Sequence, residues 1–364
     1  MLRNISRLYI FSYFLLLVSC GLQDSITVPY SNPQLSYSGR IDTSKIEGAE
    51  LYWSGASIKI NFKGESFQAL AEDESGDNYY NVIIDGNEPF LFRPDTIKQY
   101  YDIVSKLNKG KHTAELFRRT EWNRGKTIFY GFKIIGRAKL LKKSKEKKRK
   151  IEFYGNSVTA GYAVEDTTGE DSPDSTYTNN YLSYSAITAR HFDADYHCIC
   201  RSGIGITVSW NDEIMPEIYD RINPTDLTSQ WSFENFQPNI IVINLLQNDT
   251  WLVDMPEYDQ FINRFGSTPP TDSLITESYL NFVSNIRKHY PKASIICMLG
   301  NIIDYSNELS YWKDYITNAV SNLNDDKIYT LFVPSKGTDG HPSIDEQQDL
   351  ANTLISFINN NINW

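Results

Sequence analysis

The second half of the chain alternates short apolar runs with longer stretches whose apolar residues recur at helical spacing. Continuous apolar runs are typical of strands buried on both faces. Such runs begin at residues 151, 196, 240, 294 and 328. Helical spacing covers residues 180–192, 272–288, 307–323 and 343–362. Strands alternating with helices predict an α/β domain over residues 151–364, with a doubly wound, five-stranded parallel sheet between two helical layers.

The first half has a different pattern, in which short strands alternate apolar and polar positions between turn signals. The predicted strands cover residues 50–53, 57–62, 80–85, 112–117 and 127–132. Turn-forming residues at 63–65, 85–87 and 108–111 separate them. We therefore expect an antiparallel, jelly-roll-like β-sandwich over residues 36–138. Structural support is the expected role of this domain.

A basic run at residues 139–150 separates the two patterns, although the whole chain has a formal net charge of −10. Basic runs can bind nucleic acid or anionic lipid. This run has no interleaved aromatic residues and the rest of the chain is acidic, so we interpret it as a solvated linker between domains or as an edge strand. No nucleic-acid partner is expected.

The N-terminus resembles a bacterial lipoprotein signal. Arg3 and Arg7 precede an apolar stretch at residues 8–18, which is too short for a typical membrane span, and Leu-Val-Ser-Cys ends at Cys20. This pattern predicts a signal peptide over residues 1–19, lipidation of Cys20 and a tether over residues 20–35. The expected location is the bacterial cell envelope, with the protein held at the membrane by its lipid anchor. A plain secretory peptide is the alternative.

Composition adds little beyond this architecture. With 41% hydrophobic residues over 364 positions, the chain can fill two ordinary cores, and we expect it to act as a monomer. The remaining cysteines, Cys198, Cys200 and Cys297, do not form a disulfide pattern. No HExxH or CxxC motif is present, so no metal or other cofactor is expected.

The strongest candidate for chemistry is Ser157. The apolar run from Ile151 ends at Gly155, which permits a tight turn, and small residues follow the serine. A serine on such a turn lies at the carboxyl edge of the sheet, where open α/β sheets place their sites. The alternative is an ordinary turn, since Gly, Asn, Ser and Thr are common turn formers.

A serine nucleophile requires a base. Four of the five histidines lie in hairpin, helix or strand patterns, whereas His341 lies in a polar loop between a strand and a helix. Asp339 precedes His341 by two residues, where its carboxylate could orient the imidazole. His341 is therefore the predicted base.

Acyl transfer also requires hydrogen-bond donors for the oxyanion. Gly203 follows the strand that begins at Tyr196 and could supply a backbone N–H. Asn248 follows the buried run that begins at Asn239 and could supply its side-chain amide. For each residue the alternative is a simple turn after a strand.

These residues carry a resemblance to the SGNH hydrolases. The segment GNSVTAG at residues 155–161 resembles their GDSxTxG block, Gly203 their second block, Asn248-Asp249 their GxND block, and DGHP at residues 339–342 their last block. The resemblance implies a flavodoxin-like hydrolase fold with Ser157 as nucleophile and His341 as base. It also implies an oxyanion hole formed by the Ser157 N–H, Gly203 and Asn248.

The spacing in DGHP resembles one subgroup, the family-2 carbohydrate esterases, which carry a β-sandwich before the hydrolase domain. Some members work as a Ser-His dyad, so Asp339 either completes a triad or is dispensable. Members often have an aromatic residue where this chain has Gly340. Sugar contacts are therefore expected elsewhere, at Trp251, Trp210 or Tyr162.

The function implied is an exported esterase that removes O-acetyl groups from carbohydrate such as xylan or glucomannan. Two alternatives remain. The first is a surface lipoprotein that binds carbohydrate with a decayed hydrolase domain, which is favoured by Leu246 and Gln247 in the GxND block and by the displaced Asp339. The second is the same chemistry on O-acetylated bacterial glycans.

Overall fold

The structure, a computed structural model, describes residues 23–364. The predicted signal peptide and the predicted lipidation site at Cys20 lie outside these residues. Within them, no helix is both long and apolar enough to cross a bilayer.

The N-terminal domain is an antiparallel β-sandwich, as predicted. Its two sheets share the long strand β11, which pairs with β1, β4 and β6 in one sheet and with β5 in the other. In chain order the strands are β1 Gln23–Pro29, β2 Ser36–Ser38, β3 Ile41–Asp42, β4 Ala49–Leu51, β5 Ser57–Lys63, β6 Ser66–Asp73, β7 Tyr80–Ile84, β8 Phe90–Phe92, β9 Gln99–Val104, β10 His112–Arg118 and β11 Thr127–Leu140.

The structure corrects both edges of the predicted sandwich. Strand β1 lies inside the predicted tether of residues 20–35, pairs with β11 and buries Val28. Only two apolar side chains of β1 point inward, which is too few to predict a strand from the hydrophobic pattern. Backbone hydrogen bonds to β11 hold this segment in the sheet instead. At the other edge β11 continues to Leu140 and the next strand begins at Arg149. The linker is therefore shorter than predicted, and residues 142–146 are exposed.

The C-terminal domain has the predicted five-stranded parallel sheet, with strand order β13-β12-β14-β15-β16. The strands are β12 Arg149–Gly155, β13 Ala194–Cys200, β14 Ile240–Asn244, β15 Ser294–Leu299 and β16 Ile328–Phe332. The helices are α1 Ser157–Ala160, α2 Tyr184–His191, α3 Met215–Ile218, α4 Gln247–Leu252, α5 Asp259–Phe265, α6 Asp272–His289, α7 Tyr311–Leu323 and α8 Ile344–Asn361.

Helices cover both faces of this sheet because successive strand residues point to opposite sides. Phe153 and Val242 pack with α2 and α8, whereas their neighbours Tyr154 and Ile243 pack with α6 and α7. Both cores are continuous and apolar. This doubly wound arrangement brings the carboxyl ends of all five strands to one edge, where loops can converge.

The two domains are joined by a buried ion pair. Arg40, in the turn between β2 and β3, donates to Glu152 on β12 over 3.2 Å and to the Tyr154 hydroxyl over 3.1 Å. Neither charged side chain is exposed. Burial raises the pKa of Glu152, but the charge of Arg40, the nearby His197 ring and the hydrogen bond from the Tyr154 hydroxyl outweigh that effect and lower it to about 2. This contact therefore holds the turn between β2 and β3 of the sandwich against β12 of the hydrolase domain.

Candidate active site

Ser157 is the first residue of α1, directly beyond the end of β12. Asn156 caps the helix by accepting a hydrogen bond from the Val158 N–H over 3.1 Å. A side chain at position 155 would lie 2.0 Å from Thr159 Oγ1, so only glycine permits this sharp turn. The Ser157 side chain therefore faces the sheet edge, as the sequence predicts, and it is 7% exposed.

His341 lies beside Ser157, although 184 positions separate them in the chain. Its Nε2 atom is 2.7 Å from Ser157 Oγ, a distance suited to proton transfer. The loop that carries it is held by Lys336, which donates to the carbonyl oxygens of Thr338 and Asp339 over 2.9 and 2.8 Å. The serine and the histidine thus have the geometry of an activated nucleophile.

The carboxylate that contacts His341 is Asp171, and the prediction of Asp339 for this place is wrong. Asp171 Oδ2 lies 2.8 Å from His341 Nδ1, and Oδ1 accepts the His341 backbone N–H over 2.7 Å. The side chain of Asp339 is exposed instead. Burial raises the pKa of Asp171, but the two hydrogen bonds and the charges of His341 and Lys336 hold it below its usual value. Asp171 is therefore charged at neutral pH and can fix the imidazole tautomer.

Sequence reasoning missed Asp171 because it lies in a polar loop with several other acidic residues and no periodicity. The β-sandwich anchors this loop on both sides of Asp171. Arg119 pairs with Glu165 and donates to the Thr176 carbonyl over 2.7 Å, and Arg124 donates to the Pro173 carbonyl over 2.5 Å. The position of the carboxylate thus depends on a domain far away in sequence.

The predicted oxyanion donors, Gly203 and Asn248, line the same cleft as Ser157. Gly203 has a φ of +79°, and a side chain there would lie 3.0 Å from Trp210 Cβ. Asn248 Nδ2 donates to the Ile204 carbonyl over 2.8 Å, which orients its amide and leaves its second N–H available. Both predicted donors therefore lie in the cleft beside Ser157 and remain candidates for the oxyanion hole.

Asp249 stabilises the loop that follows Gly203. The carboxylate is fully buried and accepts the backbone N–H groups of Ile206 and Thr207 over 3.1 and 2.6 Å. It also accepts the Thr207 hydroxyl over 2.6 Å. The Asp249 side chain therefore ties the loop after Gly203 to the segment that carries Asn248.

Leu246 adopts the backbone shape that glycine usually supplies. Its φ is +86° and its side chain is completely buried. A left-handed conformation costs a non-glycine residue about 1–2 kcal/mol, which the burial of the leucine offsets. Next to it, the Gln247 and Asn156 side-chain amides lie 3.0 Å apart. Leu246 and Gln247 are therefore both accommodated in a buried turn beside the active site.

An open cleft of about 350 Å³ leads to Ser157. All three aromatic residues expected to contact sugar, Trp251, Trp210 and Tyr162, line it. Trp251 is 38% exposed, which leaves a face for a ligand. Tyr258, which the sequence did not single out, packs edge-on against Trp210 with the ring centroids 5.1 Å apart and is also exposed. In residues 23–364, no cluster of three or more Cys, His, Asp or Glu side chains is arranged around a metal position.

The fold and the geometry define the class of protein. At the carboxyl edge of a doubly wound sheet, a serine contacts a histidine, and the histidine contacts an aspartate. A glycine and an asparagine that can donate hydrogen bonds line the same cleft. This is the arrangement of an SGNH hydrolase.

Comparisons with known proteins give the family. The N-terminal domain of carbohydrate esterase family 2 matches residues 37–143. The cellulase/esterase CelE of Acetivibrio thermocellus is 33% identical over 94% of this chain, which spans 41% of that protein. An acetylxylan esterase/glucomannan deacetylase of Cellvibrio japonicus is 25% identical, with 97% of each chain covered.

A solved structure agrees over both domains. The family two carbohydrate esterase from Clostridium thermocellum, in complex with cellohexaose, has a TM-score of 0.80 and 32% identity, covering 90% of this chain and 98% of that one. This chain belongs to the family-2 carbohydrate esterases, which are carboxylic ester hydrolases.

Proposed function

We propose that this protein removes O-acetyl groups from plant polysaccharide, such as xylan or glucomannan, through an acyl-enzyme on Ser157. The observation that carries the proposal is the continuous hydrogen-bonded series from Ser157 through His341 to Asp171, with Ser157 and His341 lining an open cleft. The names of the Cellvibrio relatives support the choice of polysaccharide.

In the proposed mechanism, Ser157 Oγ attacks the acetyl carbonyl carbon while His341 Nε2 accepts the hydroxyl proton. Asp171 stabilises the imidazolium, and the Ser157 N–H, the Gly203 N–H and Asn248 bind the oxyanion. The C–O bond to the sugar breaks as His341 returns the proton to the sugar oxygen. His341 then deprotonates a water, which attacks the acyl carbon. The bond between that carbon and Ser157 Oγ breaks, His341 returns the proton to Oγ, and acetate leaves.

The features that favoured a decayed, non-catalytic domain have structural explanations. Leu246 adopts a left-handed backbone conformation directly before Gln247 and Asn248. Asp171, in place of Asp339, contacts His341 Nδ1. The two sequence features that favoured a non-catalytic domain are thus compatible with a working active site. The rim of the cleft supports a sugar chain as substrate, because Trp251 presents an exposed ring beside Ser157.

The substrate can be tested by comparing acetylated xylo- and glucomanno-oligosaccharides with 4-nitrophenyl acetate. We expect Trp251→Ala to lower kcat/KM on the oligosaccharides by roughly 3- to 10-fold, through KM, because a sugar ring loses its stacking surface. Activity on the small aryl ester should change little. The control is Tyr100→Ala, which removes an exposed aromatic ring on β9 of the sandwich.

Equal losses on both kinds of substrate would contradict a sugar-stacking role for Trp251. Activity confined to O-acetylated bacterial glycan would contradict plant polysaccharide as the substrate and support the alternative.

We also propose export and lipid anchoring at Cys20, on the sequence pattern at residues 8–20. The full-length protein produced in a bacterium should fractionate with membranes and take up a palmitate analogue, whereas Cys20→Ala should do neither. The detergent-solubilised protein should sediment as a monomer. Membrane association of Cys20→Ala equal to that of wild type would rule out this anchor.

A further inference from the structure

One side chain of the β-sandwich reaches the loop that carries Gly203. Glu121 follows β10 and is 4% exposed. Its Oε2 atom accepts the Ser202 backbone N–H over 2.5 Å, and its Oε1 atom accepts the Ser202 hydroxyl over 2.6 Å. The residue directly before the predicted oxyanion donor is thus held at two points by the other domain.

The opposite side of the same residue is also held. The Ser202 carbonyl accepts a hydrogen bond from Asn211 Nδ2 over 3.0 Å. That carbonyl belongs to the peptide bond whose N–H is the Gly203 donor, and in a planar trans peptide the two groups point in opposite directions. Fixing the carbonyl therefore fixes the direction of the Gly203 N–H. The Gly203 carbonyl is bonded in turn to the Trp210 N–H over 2.9 Å.

A second contact with the sandwich supports this arrangement one residue earlier. The Arg201 guanidinium lies over the ring of Trp122, 4.3 Å from its centroid, and donates to Glu213 over 2.8 Å. Two consecutive residues of the sandwich, Glu121 and Trp122, therefore contact two consecutive residues of the hydrolase domain, Ser202 and Arg201. Such pairing leaves little freedom for the loop to rotate.

We propose that Glu121 is a positioning residue of the oxyanion hole, so that the β-sandwich completes the active site of the hydrolase domain. The proposal rests on the proposed function, because it takes Gly203 as an oxyanion donor. Donors act in the transition state only when they are already aimed at the developing charge. Without Glu121, Ser202 loses both of its bonds to the sandwich. Only the Asn211 contact then holds the Ser202–Gly203 peptide, and the Gly203 N–H is aimed less precisely.

The test compares Glu121→Ala, Glu121→Gln and Glu50→Ala on 4-nitrophenyl acetate, together with the thermal unfolding of each protein. Glu121→Ala should lower kcat by roughly 10- to 100-fold with little change in KM, because a small misplacement of a catalytic group has effects of that size. Glu121→Gln should recover most of the activity, since its amide can accept the Ser202 N–H and donate to the Ser202 hydroxyl.

Glu50 is the matched control. It is another buried glutamate of the sandwich, and it contacts Tyr52 and Lys126 over 2.6 Å each, within that domain. Glu50→Ala should lower the unfolding temperature with kcat unchanged. Equal losses of kcat in Glu50→Ala and Glu121→Ala would overturn the proposal, because general destabilisation would then explain both.

Asn211→Ala provides a second variant in case Glu121→Ala fails to fold, since it frees the carbonyl of the Ser202–Gly203 peptide and leaves the contact between Glu121 and Ser202 intact. It should also lower kcat more than KM, and a wild-type kcat would overturn the proposal. The failure of the proposed function has a different signature. A fully active Ser157→Ala overturns both, whereas an inactive Ser157→Ala with a wild-type-like Glu121→Ala overturns the role of Glu121 alone.

Discussion

Ser157→Ala should reduce kcat for acetyl release by about 10⁴-fold or more, because losing the nucleophile removes the covalent route and leaves only binding and the oxyanion donors. Among residues 23–364, the Ser157 hydroxyl has one side-chain partner, His341, so the fold should not depend on it. The measurement is acetate release from acetylated xylo-oligosaccharide and from 4-nitrophenyl acetate by the purified protein.

Ser273→Ala is the matched control for this variant. Its hydroxyl lies on the exposed side of α6 and contacts Glu277. Both variants should unfold at the temperature of the wild type, and only Ser157→Ala should lose activity. A Ser157→Ala protein that retains the wild-type rate would refute the acyl-enzyme mechanism.

Asp171→Asn should lower kcat by about 10²- to 10⁴-fold, because an amide cannot stabilise the imidazolium and favours the wrong tautomer of His341. Asp339→Asn is the matched comparison and should retain nearly full activity, because that side chain is exposed. KM should be similar in both variants. The opposite ranking would mean that Asp339 completes the triad, and full activity of both variants would indicate a Ser-His dyad.

The contact between Asp171 and His341 should also make the unfolding temperature depend on pH. The pKa of Asp171 is lowered in the folded protein by its bonds to His341. A lowered pKa contributes stability that is present above the unfolded value, about 4, and is lost as the pH falls through the folded value. The wild type should therefore exceed Asp171→Asn in unfolding temperature at pH 7, and this difference should shrink below pH 4.

Local patterns predicted the parts of the site that lie at the ends of strands. Ser157 follows a buried strand and a glycine that no other residue can replace, and Asn248 follows another buried strand. His341 precedes a helix whose first turn is capped by Ser343. Each of these signals is contained within about ten residues, so it could be read without knowing the partners.

Asp339 shows where local reasoning fails. Its spacing from His341 suggested an orienting carboxylate, yet two residues of separation in this loop direct the side chain to solvent. Asp171 meets His341 from a loop 170 positions earlier. That loop has no periodic pattern, and Arg119 and Arg124 of the sandwich set its path. No local feature distinguishes Asp171 from the neighbouring acidic residues.

The two-domain architecture, the parallel sheet, and the serine and histidine at its edge could be predicted from the sequence, because hydrophobic periodicity and turn chemistry are local properties. Only the folded structure revealed the contact of Asp171 with His341, the pairing of β1 with β11, and the contact of Glu121 with Ser202. These features depend on where distant polar groups meet once both cores are packed. Polar loops carry no repeat that specifies their partners, so only the docking of the sandwich against the hydrolase domain selects them.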